Sequence, residues 1–588
     1  MCGIAGQVRL PGEPVNPATL DRFTDALAHR GPDGTGQWLD GNVGLAQTRL
    51  AIIDLATGDH PLHGPADTHL VANGEIYNYV ELRKELGPRD FRTNSDCEPP
   101  LYLYEEDGPF YADRLRGMYA IALHDRARGS VTLSRDPFGI KPLYVRETAD
   151  GIAFASEAHA LVAPGETPDI VARKRAELLQ LQFTTGRQTI LGGIERLLPG
   201  ETVLIENGRI TERERLSPLP LYGPKFRDEE EALTALDAVL EDSVAMHQRS
   251  DVPYGLFLSG GVDSSAVLAM MRRLNDRPVR AFTAWFPETA ARDEREHARR
   301  VAKAAGAEME EVEFAEADFW NLLPEVAAGL DDPVADYATL PTWKLAARAR
   351  KDVKVVLSGE GGDELFAGYG RYRRALRPRW LGGRPMRAKG TFDGLGLLRA
   401  GVTDGWRDGI AAAEKRVAGI EELSPLARLQ AVDCEDWLPH DLLTKLDRCL
   451  MANAVEGRTP FLDPEVAGFA SRLPDDMKLR RKTGKWLLRR WLERALPEAE
   501  PFAPKRGFTV PVGEWIAARG AELGPLVARQ PGIGQIAAPE DATRFFRTLK
   551  PEHGFAAWTL LFYALWHRRH AMGSLPDGDV FETLSEAL

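Results

Sequence analysis

The chain has 588 residues, 44% hydrophobic and 27% charged, with 74 Lys and Arg against 87 Asp and Glu. That length exceeds one domain, and the composition is that of folded soluble proteins, which excludes disorder as the main state. The formal net charge of −13 excludes a general affinity for nucleic acid or an anionic membrane, since both need a positive field.

The cysteines are Cys2, Cys97, Cys434 and Cys449. They are too few and too scattered for a disulfide framework, and none forms a CxxC pair. No apolar run approaches the ~18 residues of a membrane span. The N-terminus lacks the basic and apolar regions of a signal peptide. These features predict a cytoplasmic protein.

In chain order, 43–55, 69–77, 119–125 and 130–135 are short apolar runs bounded by Gly, Pro, Asp or Asn, which predicts strands. Residues 201–210 hold an Asn-Gly turn between apolar residues and predict a hairpin. Pro218, Pro220 and Pro224 lie among charges, so 211–228 is expected to be a linker between domains at 2–210 and 229–588. After it, strands at 254–258, 279–286, 308–314 and 353–357 alternate with helices, the pattern of an α/β parallel sheet. The mostly helical text after residue 424 is expected to pack on that sheet.

Cys2 follows Met1, and its small side chain favours removal of the methionine. The exposed α-amine would then have a pKa near ~8, placing nucleophile and base on one residue. A lone cysteine here is otherwise a small buried hydrophobe. Hydrolysis of an amide such as glutamine also needs a cation for the α-carboxylate, an anion for the α-ammonium and donors for the tetrahedral oxyanion. Arg49, Asp96 with Glu75, and Asn73 with the Gly74 N–H are the candidates. MCGIAG at 1–6, HRGPD at 29–33, Arg49-Leu50, NGEIYN at 73–78 and RDPFGIKPLY at 135–144 resemble the class II glutamine amidotransferase domain. That domain is an N-terminal-nucleophile hydrolase of the α+β class, with antiparallel sheets layered with helices. The resemblance implies that Cys2 is the nucleophile and that Arg49, Asn73, Gly74, Glu75 and Asp96 bind glutamine. It implies an oxyanion hole at Asn73 and Gly74.

Ser259-Gly260-Gly261-Val262-Asp263-Ser264-Ser265 follows a predicted strand and opens a helix. Consecutive small residues and a helix N-terminus make an anion cradle. The pattern is neither GxGxxG nor GxxxxGK[ST]. It has the SGGxDSS form of loops that hold pyrophosphate in adenylating enzymes. LSGEGGDE at 357–364 also follows a strand, so Asp263 and Asp363 are candidate hard-oxygen ligands for Mg²⁺ bridging ATP phosphates. With EGRTPFLD at 456–463 and KTGK at 482–485, residues 230–520 resemble the glutamine-hydrolysing asparagine synthetase family, an ATP-pyrophosphatase fold. The resemblance implies that Leu258, Ala284, Ser358 and Gly359 line adenine and ribose. It also implies that Lys485 neutralises phosphate and Glu360 lies by the acyl-adenylate. Spacing alone leaves Arg458 and Lys485 open to being a solvated basic face.

The implied activity is asparagine synthesis from aspartate, glutamine and ATP. It runs through a Cys2 thioester, shielded ammonia and β-aspartyl-AMP, and gives glutamate, AMP and pyrophosphate. The partners are these small molecules, with room for a homodimer. The alternative is a related amidotransferase acting on a cell-wall precursor, a sugar acid or a peptide. The stretch 330–345 should flank the acceptor. There Tyr337 stands where some asparagine synthetases carry Arg, so the cation for the acceptor α-carboxylate is expected from another basic residue. A non-catalytic scaffold is opposed by the intact Cys2, Arg49, Asp96, Asp263 and Asp363. His60, His63, His69, His567 and His570 read as ordinary surface or core histidines, and Arg371–Trp380 as a solvated helix face.

Overall fold

The computed structural model describes residues 2–287, 295–504 and 510–586. The first domain holds β1 (Cys2–Arg9), β2 (Gly34–Asp40), β3 (Val43–Arg49), β4 (Thr68–Ile76), β5 (Gly117–Asp125), β6 (Ser130–Arg135), β7 (Tyr144–Thr148), β8 (Gly151–Ala155), β9 (Glu201–Glu206) and β10 (Arg209–Arg215). Its main helices are α1 (Pro17–Leu27), α2 (Tyr79–Leu86) and α3 (Pro99–Asp107). One sheet runs β7-β8-β1-β3-β2 and the other β10-β9-β6-β5-β4, each extended at one edge by a two-residue strand. Every pairing is antiparallel.

Alternation of side chains along the strands sets the layers. On β5, Ala120 and Ala122 enter the core between the sheets with Ile4 and Val8 of β1. Tyr119, Ile121 and Leu123 face the other way, onto Leu82 of α2 and Leu101 of α3. This is the layered N-terminal-nucleophile hydrolase architecture. Two sequence expectations change here. Residues 2–9, assigned no element, form β1, because CGIAG hides the alternation behind small residues. The expected linker begins too early: β10 pairs with β9 through Arg215. Its TERER text lacks apolar alternation because an edge strand is solvated. The stretch without helix or strand is 216–228.

The second domain is built on a parallel sheet of β11 (Tyr254–Phe257), β12 (Arg280–Trp285), β13 (Glu308–Glu313), β14 (Val355–Leu357) and β15 (Glu456–Arg458). The spatial order is β13-β12-β11-β14-β15. Five of its helices matter below: α4 (Val262–Leu274), α5 (Thr339–Ala349), α6 (Thr444–Met451), α7 (Trp486–Ala495) and α8 (Gly554–His570). The sheet is covered on both faces. Leu256, Ala281 and Leu357 pack toward α4 and α7, while Phe282 and Val356 pack toward α5 and α8. α8 is buried on nearly every side, as a helix apolar all round must be. Trp558 and Trp566 of α8 donate their indole N–H groups to Ala335 O at 2.6 Å and Leu330 O at 2.8 Å. Among the described residues no helix is long and apolar enough to cross a membrane.

The two domains meet through buried charges. Arg30 and Glu157 of the first domain face Asp331, Asp447 and Arg448 of the second. Arg30 reaches Glu157 at 2.7 Å and Asp447 at 2.9 Å, and Arg448 reaches Glu157 at 3.0 Å and Asp331 at 2.9 Å. Burial alone would raise the Glu157 carboxyl, but Arg448, His29 and Arg30 outweigh it and hold it well below the usual range. Removing one partner of such a network leaves an uncompensated buried charge, which costs about 3–5 kcal/mol. Glu157→Gln is therefore expected to destabilise the junction by that amount, measured as a shift in the urea unfolding midpoint. A loss below about 1 kcal/mol, the range of exposed pairs, would show that the network is hydrated.

Candidate functional site

Cys2 opens β1 and pairs in register with Arg49 of β3. It is buried, and its N–H donates to Asn73 Oδ1 at 3.3 Å. Asn73, fully buried on β4, also donates through Nδ2 to Ser156 Oγ at 3.4 Å, which fixes the amide. Gly74 lies where β4 presses on β5: a Cβ there would overlap Met118 O and Tyr119 Cα. Only glycine allows that approach. Burial pushes the Cys2 thiol up, and the Leu50 N–H and Arg49 work against that rise. The thiol therefore needs a base to become a nucleophile.

The predicted glutamine residues gather around this thiol. Arg49 is held by Asp59 at 2.6 Å and by the carbonyls of Ile53 and Asp54. Asp96 accepts the Ile76 N–H at 2.7 Å. Glu75 faces Arg458 at 3.4 Å. Burial raises the carboxyls of both Glu75 and Asp96, a penalty that a bound ammonium would offset. Arg458 is fully buried on β15, so the open alternative of a solvated face does not hold for it. Its charge is matched by Glu456, with Nε to Oε1 at 2.5 Å.

The second centre is a cavity of about 450 Å³ at the carboxyl ends of β11, β12 and β14. The chain leaves β11 on one side toward β12, while β14 flanks it on the other. This is the switch point where open α/β sheets bind ligands. From the first loop it takes Leu258, Ser259, Gly260, Gly261, Asp263 and Ser264, with α4 beginning at Val262. From β12 it takes Ala284, and from the second loop Ser358, Gly359, Glu360 and Asp363. Lys485 completes it, buried and with a left-handed backbone at φ 56°. The whole predicted nucleotide set thus lines one cavity, and Lys485 is no solvated face.

Lys485 Nζ bridges Asp263 Oδ2 and, at 2.6 Å, Asp363 Oδ1. Burial would lower its pKa, but the two carboxylates raise it to about 12. Two carboxylates converging on one ammonium are spaced to share a hard cation, so this donor set fits Mg²⁺. Glu360 is raised by burial and has Lys445, Asp336 and Asp363 as charged neighbours.

Sequence reasoning missed Asp336, Lys445 and Arg489, which also line the cavity. It missed too that α6 touches both centres. Lys445 faces the cavity, while Asp447 receives Arg30, whose Nε donates to Cys2 O at 3.3 Å. His63 and His69 contact each other at 2.8 Å, and burial lowers His60 to about 3. Glu157, His159 and Asp331 lie close enough to share an ion, but Arg30 and Arg448 already serve both carboxylates.

Comparison with known proteins gives a family match to each half of the chain. The glutamine amidotransferase domain profile matches residues 1–215 and the asparagine synthase profile residues 235–568. The chain belongs to the asparagine synthase family. Within this family it is 31% identical to asparagine synthetase 1 (glutamine-hydrolysing) of Bacillus subtilis, over 93% of each chain. It is 30% identical to asparagine synthetase B of Escherichia coli, over 83% of this chain and 78% of that one. A Mycobacterium tuberculosis protein, provisionally named as a glutamine-hydrolysing asparagine synthetase, is 36% identical over 96% of this chain and 97% of its own.

The packing around the paired carboxylates gives a direct test. A Cβ at Gly368 would overlap Asp363 Oδ1 and Lys485 Cε. Gly368→Ala is expected to displace this pair and lower ATP-dependent pyrophosphate release at least ~10-fold, with glutamine hydrolysis as the internal control. Loss of both activities together would indicate global misfolding instead.

Proposed function

We propose that this chain makes asparagine from aspartate, taking nitrogen from glutamine and energy from ATP. One observation carries the reading: the Gly-rich loop, both aspartates, Lys485 and Glu360 line a single cavity at the sheet's switch point. One helix, α6, then joins that cavity to the strand of Cys2.

The first half-reaction follows from the buried thiol. With Met1 removed, the α-amine of Cys2 takes the thiol proton, and Sγ attacks the amide carbon of glutamine. Negative charge develops on the former carbonyl oxygen, where Asn73 Nδ2 and the Gly74 N–H donate to it. The α-ammonium returns that proton to the departing nitrogen, so collapse releases ammonia and leaves a thioester, which water cleaves to glutamate and the free thiol. Arg49 holds the α-carboxylate of glutamine, and Asp96 with Glu75 holds its ammonium.

The second half-reaction uses the cavity. The aspartate side-chain carboxylate attacks the α-phosphorus of ATP, the bond to pyrophosphate breaks, and ammonia displaces AMP from β-aspartyl-AMP. Ser259–Gly261 and the start of α4 hold the departing pyrophosphate. Mg²⁺ held by Asp263 and Asp363 would offset phosphate charge. Lys485 lies between those carboxylates, ready to meet phosphate oxygen. Ammonia in water is mostly protonated at neutral pH, so it must pass between the centres shielded from solvent. Tyr337 favours a second reading, in which the acceptor is another carboxylate, because its phenol supplies no cation.

Asp363→Asn is expected to abolish pyrophosphate release while glutamine hydrolysis persists. Wild-type pyrophosphate release by the variant would remove the metal assignment. Cys2→Ala is expected to lose glutamine hydrolysis at least ~10³-fold and still make product from concentrated ammonium at mildly basic pH. Mass spectrometry of the active enzyme should find Met1 absent. Full glutamine hydrolysis with Met1 retained would point to another base.

A further inference from the structure

We infer that the ion pair of Lys445 and Asp336 is the acceptor subsite, built to read the zwitterionic head of an amino-acid acceptor. This rests on the reading of the cavity as an adenylating site. Both side chains line the cavity with Glu360. Asp336 comes from the stretch before α5, and Lys445 enters on α6. Their contact, Nζ to Oδ2, is 2.7 Å.

Charge accounting singles out Lys445. Among the described residues the lysines and arginines lining the cavity are Lys445, Lys485 and Arg489. Lys485 is committed to Asp263 and Asp363. Arg489 is committed to backbone, donating to Gly484 O at 2.8 Å and to Pro501 O. Tyr337 also lines the cavity but supplies no cation, and its ring lies 5.4 Å from that of Phe555 on α8. Among the described residues Lys445 is therefore the lining cation left for a carboxylate away from the phosphates. It is only 6% exposed, yet among the described residues Asp336 is its one hydrogen-bond partner. An ammonium has three donors, and a buried one with donors to spare is poised for an added acceptor atom.

Asp336 is fixed as firmly. Its Oδ1 accepts the Ala338 N–H at 2.9 Å while Oδ2 holds Lys445. A cation and an anion locked this closely match the carboxylate and ammonium on one α-carbon. The carboxyls of Glu360 and Asp441 also stand near this pair, and hydrogen-bond acceptors of this kind favour an acceptor bearing an amine over a sugar acid or a simple diacid.

Pyrophosphate release with aspartate, succinate and β-alanine tests this, because succinate lacks the ammonium and β-alanine lacks the α-carboxylate. The wild type should use aspartate at least ~10-fold better than either analogue, the scale of a lost hydrogen bond to a charged group. Lys445→Met should raise KM for aspartate at least ~10-fold with KM for ATP within about twofold, and Lys445→Arg should restore part of it. Asp336→Asn should narrow the preference for aspartate over succinate. Equal use of all three acceptors by the wild type would overturn the subsite. So would a Lys445→Met enzyme that loses kcat or thermal stability with KM for aspartate unchanged. A wild type that uses none of the three but another carboxylate would instead defeat the aspartate reading. The same pair of analogues, made from that acceptor, would then decide the subsite.

Discussion

The buried ionic junction of Arg30, Glu157, Asp331, Asp447 and Arg448 is the constraint on which the relation of the two centres depends. Each of these groups would be unstable in a low-dielectric interior without its partners. The domains therefore cannot slide or tilt by a few ångströms and keep their charges satisfied. Arg30 Nε also donates to the carbonyl of Cys2, so the junction reaches the nucleophile's own backbone. Through Asp447 and Arg448 it fixes α6, and α6 carries Lys445 into the cavity at the sheet's switch point. A contact between domains is thus also a ruler between two active centres.

Much of this was legible in the text of the chain. Loops at 258–264 and 357–364 announced themselves because small residues and aspartates follow apolar strands, and the fold leaves such loops at one sheet edge. NGE at 73–75 was legible for a similar reason: a strand end with a glycine that packing makes obligatory. Other features had no local signal. β15 is three residues, Glu456, Gly457 and Arg458, and nothing apolar marks it as a strand. It is buried because Glu456 and Arg458 neutralise each other. Residues 211–215 read as a linker because an exposed edge strand need not alternate. The pair of Asp336 and Lys445 is separated by 109 residues, and neither stands in a motif. Spacing along the chain cannot report a meeting made by tertiary packing.

The electrostatics of the two centres differ in kind. Around Cys2 burial dominates: it raises the thiol, Glu75 and Asp96, so matching charges on a ligand would offset a desolvation penalty there. In the cavity of the second domain pairing dominates, with Lys485 between two carboxylates and Lys445 against Asp336. There a ligand exchanges partners instead of supplying them. The first arrangement favours a substrate that brings both signs of charge at once. In the second, both lysines already stand against carboxylates.

The indoles of Trp558 and Trp566 give α8 a meaning beyond packing. They end on the carbonyls of Ala335 and Leu330, the backbone that leads into Asp336. A helix far along the chain therefore backs the segment that carries Asp336 into the cavity. During synthesis the loops at 258–264 and 357–364 precede α8, and the segment 330–336 lacks this backing until α8 docks. A chain clipped before residue 554 would keep both loops while the carbonyls of Leu330 and Ala335 lost the indole donors that hold them.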